Sequence, residues 1–227
     1  MYAVSDAYKA AMKQPVQRFR MRGTIGEHSF TDDNILSGSF SITNQCTGNE
    51  EIAIGQVYIG ELNATFLNMS ISRYGWKGLE IKPVFGMRLS DGTYEEVPLG
   101  VFTVETAEWT ESGVVVKAYD HMAFLDKNCN KVITEVTPYQ CAQAIGEATG
   151  LIFANTEKEF ESFANGSTMI SETETNDVET WRDLVSWLAQ TLGCFATADR
   201  KGNIVFKSFN QTVVDTIDDA HRFTGGS

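Results

Sequence analysis

Residues 180–209, TWRDLVSWLAQTLGCFATADRKGNIVFKSF, leave the backbone few choices. Trp181, Leu184, Val185, Leu188, Ala189 and Leu192 recur at helical spacing and form one apolar stripe. Thr180 is placed to cap the first turn, and Asp183 three residues later completes a capping-box pattern. Gly193 follows the last apolar residue, where a left-handed residue commonly ends a helix. Residues 194–198 and 204–209 then read as two strands around the turn Asp199-Arg200-Lys201-Gly202. Trp181 and Trp187 are expected in the core, because tryptophans on a helix are mostly buried area. The stretch folds strongly and carries no catalytic pattern, which points to a structural or assembly role.

A chain of 227 residues can bury one large core or two small ones. Its apolar content of 42% is that of an ordinary folded protein. The net charge of −12 disfavours a nucleic-acid binder, whose affinity is largely cation-driven. No basic patch offers itself to an anionic membrane. The acidity is spread, since residues 1–125 carry 10 basic and 15 acidic groups and residues 126–227 carry 8 and 15. The N-terminal stretch has no apolar run long enough for a signal peptide or a membrane span. Cys46, Cys129, Cys141 and Cys194 lie far apart without CxxC spacing and read as reduced thiols. The N-x-Ser/Thr tripeptides at Asn63, Asn68, Asn165 and Asn210 carry no weight without a secretory route.

The predicted organisation has three parts: an N-terminal helix or arm over 1–15, a β-domain over 16–128, and a smaller α+β unit over 129–227. A short helix over 5–13 ends before Pro15. From residue 16 to 119 the period becomes two, with a hairpin turn at Asp91-Gly92 and another at Ser112-Gly113. So many short strands with regular turns indicate a barrel or sandwich. Asp120 is placed to cap a short helix holding Met122 and Leu125. Thr137-Pro138 opens a second helix, with proline at its first position, that stops at Gly150. Residues 155–179, with seven acidic groups against one lysine, read as a polar excursion with a short strand near Met169-Ile170. The last residues, Thr224-Gly225-Gly226-Ser227, look like a linker or an ordinary chain end.

Site chemistry is sparse. Asp126-Lys127-Asn128-Cys129-Asn130 opens like a calcium loop, but Lys131 stands where glycine is needed and Thr137 where the bidentate glutamate belongs. His28, His121 and His221 are isolated from one another and from the cysteines. There is no HExxH, GxSxG, phosphate-binding glycine loop or GxGxxG. Glu105, Glu108, Glu111 and Asp120 could supply a carboxylate pair for glycoside cleavage. The simpler reading makes the glutamates solvated strand residues and Asp120 a helix cap. Tyr74 and Trp76 could stack on a sugar, though core or interface packing explains them as well.

Leu99-Gly100-Val101-Phe102-Thr103-Val104, a hairpin, and then Val116-Lys117-Ala118-Tyr119-Asp120-His121-Met122 resemble a recurring stretch of bacteriophage and prophage tail hub proteins. These belong to the baseplate or tail tip. The Thr180-Trp181-Arg182-Asp183 helix, the Gly193 stop and the turn ending at Gly202 look like the family's next landmark, and Asp32-Asp33-Asn34-Ile35 is similar to its opening. The resemblance covers roughly residues 15–210 as islands in consistent order. It implies a strand-rich α+β fold, with a tail-tube-like β-barrel followed by, or carrying as an insert, a smaller domain of two helices and a hairpin. Gly100, Phe102, Tyr119, Asp120, Met122, Trp181, Asp183, Gly193 and Gly202 are its structural landmarks. It also implies a ring, usually a trimer, at the distal end of the tail tube, in contact with the tube or distal tail protein and with other baseplate or tail-tip proteins. The protein would be made in the bacterial cytoplasm, reside in the virion tail, and act without catalysis, cofactor or metal. A full hub would return to complete a second barrel, which is not evident before Ser227, so the resemblance is to the family's N-terminal portion. The alternative is a glycan-binding or cell-wall-hydrolase module acting at the bacterial surface.

Overall fold

The computed structural model describes residues 2–44, 53–129, 133–171 and 178–209. Of the positions singled out above, Cys46, Asn130, Lys131, Asn210, His221, residues 172–177 of the polar excursion and residues 224–227 lie outside them.

Helix α1 (Asp6–Met12) begins where the Ser5 hydroxyl accepts the Tyr8 amide. The period-two region then builds an antiparallel sheet from β1 (Phe19–Ile25), β2 (His28–Thr31), β3 (Ser41–Thr43), β4 (Glu61–Phe66), β5 (Glu80–Arg88), β6 (Tyr94–Pro98), β7 (Phe102–Thr110) and β8 (Gly113–Asp120). The order is β2-β1-β5-β7-β8-β4-β3, with β6 branching from β5. Alternate residues face inward, so Leu62, Ala64, Phe66, Ile81, Phe102, Val104, Val114, Val116 and Ala118 share one core with Trp76.

The sheet is curled but open, which corrects the expected barrel. Among the described residues, the end strands β2 and β3 do not pair with each other. Their arms meet at one bridge, Ile35 to Phe66, where the Leu36 amide donates to the Thr65 carbonyl and the Leu67 amide to the Asn34 carbonyl. The Phe30 ring on β2 packs edge-on against Phe66 on β4, 5.2 Å between centroids. The length of the end strands works against closure. The end strands have only four and three residues, too short for a full ladder. On β5 only Glu80 and Ile81 pair with β7, and the strand then turns its edge to β6.

The second core gathers α2 (Pro138–Thr149), α3 (Glu157–Ser162), α4 (Trp181–Thr191) and the hairpin of β9 (Phe195–Ala198) and β10 (Ile204–Lys207). Capping boxes at Thr137 and Gln140, Thr156 and Glu159, and Thr180 and Asp183 start the three helices. The stripe read on α4 is buried throughout, from Trp181 to Leu192. Trp187 is not: it is 47% exposed, because it lies one position before Leu188 and falls off that stripe. Ile170 forms a single bridge to Val136.

The two cores share chain. Residues 55–59 precede β4 in sequence, yet Val57 bridges Ala196 in parallel, and Val57 and Ile59 pack on the second core. On the other side of the hairpin, Phe153 bridges Ile204 in parallel. The small sheet therefore borrows one margin from the β-rich half and the other from the segment after α2.

Candidate functional site at the junction of the two cores

The junction is built where β8 ends. Asp120 is 6% exposed and caps the 3-10 turn His121–Asp126. One carboxylate oxygen, Oδ2, accepts the Gly60 amide at 2.6 Å, and Oδ1 accepts the Met122 amide at 3.0 Å. Burial pushes its pKa up to about 6, against the pull of those two amides. Gly60 must lack a side chain, since a Cβ there would lie 2.6 Å from Asn44 Oδ1 and 2.8 Å from Asp120 Oδ2. Met122 and Leu125, fully buried, carry the turn into the second core.

His121 ties the hairpin to the sheet. Its Nδ1 lies 2.7 Å from the Gly202 carbonyl oxygen, which only accepts, so Nδ1 donates. Its Nε2 faces Glu80 Oε1 on β5 at 3.4 Å. Glu80 is held below its ordinary pKa, mainly by its bond to Lys82. Gly202 adopts φ +84, and a Cβ there would meet the imidazole at 2.8 Å. The next tie is Arg200, whose Nη1 donates to the Pro98 carbonyl at 2.9 Å. Asp199 holds the turn itself, accepting the Lys201 and Asn203 amides at 2.8 Å each. On the far side, Arg182 pairs with Asp126 at 2.5 Å, and the Trp181 amide donates to the Lys127 carbonyl at 3.1 Å.

The positions named from sequence divide between this junction and its supports. Asp120, Met122 and Gly202 form it. Gly100 (φ +149) and Phe102 line a cleft of about 360 Å³ together with Asp120, Asp199 and Arg200. Tyr119 lies half-buried under Lys117, whose Nζ is 5.3 Å from the ring centroid. Trp181, Asp183 and Gly193 (φ +65) define the two ends of α4; of these the Trp181 backbone amide reaches the junction, through Lys127, and Asp183 and Gly193 do not. Gly60, Glu80, His121 and Arg200 escaped the sequence reading as junction residues. Their partners are far away in the chain, and no spacing rule couples them.

Both Asp120 oxygens are engaged by backbone amides, and Asp199 spends its oxygens on its own turn. Glu105, Glu108 and Glu111 are exposed along β7 and its following turn, and Glu105 pairs with Lys77 at 3.0 Å. Burial pushes the Cys194 thiol up to about 12, which keeps it protonated and poorly nucleophilic. Among the described residues no group of three or more His, Cys, Asp or Glu could hold a metal ion. No helix among them is long and apolar enough to cross a membrane. Asp126 of the calcium-like loop is engaged by Arg182.

No protein-family model and no curated protein matches the sequence. Among solved structures, the chain is similar in fold to the 43 kDa tail protein of prophage MuSo2 from Shewanella oneidensis, with a TM-score of 0.52 at 16% identity. The match covers 86% of this chain and 54% of that one, so this chain spans about half the length of that protein. At such identity the likeness defines a shared fold: a strand-rich α+β architecture also used by a prophage tail protein.

Proposed function

We propose that the chain is a structural, non-catalytic component of a phage or prophage tail, residing in the virion and forming a hub ring, as a trimer, at the distal end of the tail tube. The observation that carries this reading is the fold shared with a prophage tail protein across 86% of the chain. The junction supports it, because the buried Asp120 and the half-buried His121 spend their polar atoms on contacts between distant segments of the chain. The tube or distal tail protein and other baseplate or tail-tip proteins are the expected partners. The test is immunogold labelling of purified particles with an antibody to this chain. Gold at the distal tail end is the expected result. Particles that lack the chain, or label scattered along the tube, would overturn the assignment.

A further inference from the structure

We propose that the groove between α1 and the β5–β6 turn docks an acidic amphipathic segment of another protein. The groove encloses about 560 Å³ and is lined by Ala7, Ala10, Val16, Leu89, Arg18 and Arg88, among others. Its apolar lining is left open to solvent: Val16 is 76% exposed. Helix α1 is held in place from its other end, where the Ser5 amide donates to Glu95 Oε1 on β6 at 2.8 Å.

Charge selects the occupant. The protein carries −12 overall, yet no carboxylate lines this groove. Arg20 and Arg22, further along β1, both pair with Glu96. Arg18 and Arg88 form no ion pair among the described residues, although the Arg88 amide and the Arg18 carbonyl join their backbones at 2.9 Å. Two uncountered guanidinium groups beside small apolar side chains fit a segment with apolar residues on one face and carboxylates on its flank. The alanines allow close approach. The net charge of −12 over the chain as a whole disfavours the same segment elsewhere.

The experiment uses the purified full chain and three synthetic amphipathic peptides with identical leucine and alanine content, bearing Glu, Gln or Lys on the polar face. The Glu peptide is expected to bind about tenfold tighter than the Gln peptide at low salt, with the gap closing at high salt. R18E/R88E should reverse the preference toward the Lys peptide, and A10W, which fills the groove, should weaken all three. Unfolding curves check that both variants are folded; A7W is the second groove filler if A10W is not. Equal binding of the three peptides, no binding, or binding indifferent to R18E/R88E and A10W would overturn the proposal. So would loss of self-association in these variants, which would give the groove to a second copy. The inference stands apart from the tail reading: particles lacking the chain would leave it intact, and failed peptide binding would leave the tail reading intact.

Discussion

The Gly60 amide donates to the buried Asp120 carboxylate across sixty residues of sequence, at 2.6 Å. This bond fixes where the chain re-enters the sheet after lending residues 55–59 to the second core. Burial of the same carboxylate, against the pull of that bond, sets an unusual pH dependence. The folded pKa of Asp120 is raised to about 6, whereas an unfolded aspartate titrates near 3.9. Between those values the folded state binds the extra proton, so stability rises as pH falls from about 7 to about 4.5. Glu61, Glu80 and Glu96 are held below their ordinary range, and their contribution fades only as pH falls below about 4.3. The melting temperature of the protein is therefore expected to climb on mild acidification. Asp120→Asn should flatten that climb. A melting temperature that falls steadily from pH 7 to 5 would refute the assignment.

Gly60→Ala tests the same contact sterically. Its Cβ has no space between Asn44 and Asp120, and overpacking of this kind costs about 1–3 kcal/mol. Gly78→Ala is the control: it has φ +84 but open space around it, and should cost only about 1–2 kcal/mol of backbone strain. Chemical denaturation of both variants gives the comparison. The pH profile separates them further, because only Gly60→Ala should disturb the climb set by Asp120.

The two tryptophans of α4 should differ sharply. Trp181 is 3% exposed and Trp187 is 47% exposed. Trp181→Ala should cost about 3–5 kcal/mol, and Trp187→Ala clearly less. Thr180→Ala removes half of the capping box and should cost about 1 kcal/mol. Equal losses for the two tryptophans in urea unfolding would contradict the packing described here.

Local structure was legible in the sequence and long-range geometry was not. The α4 stripe, the Asp91-Gly92 turn and the Asp120 cap are each encoded within a few residues. The sheet ends unpaired at β2 and β3, and β5 exchanges β7 for β6 along its edge, and no periodicity records either. Residues 55–59 read as part of one long apolar run before β4, and their pairing with β9 depends on a hairpin some 140 residues later. The exposure of Trp187 was readable in principle from its angular position, but its size argued for burial. The junction pairs His121 with Gly202 and Arg200 with Pro98, contacts whose partners are fixed only once both cores exist.

Assembly gives the last prediction. Unpaired strand edges are templates for another chain, and the end strands β2 and β3 leave such edges open among the described residues. A ring needs the same patch to serve every copy. We therefore expect a weak, concentration-dependent trimer, with contacts made mainly by residues 16–125. Sedimentation at rising concentration should show it. Lysines at Ser41 and Thr43, both exposed on β3, place like charges on one of those edges and should shift the equilibrium toward monomer without changing the unfolding curve. A chain that stays monomeric at every concentration, or a trimer indifferent to charges on β3 and on the matching edge of β2, would count against ring closure through the sheet.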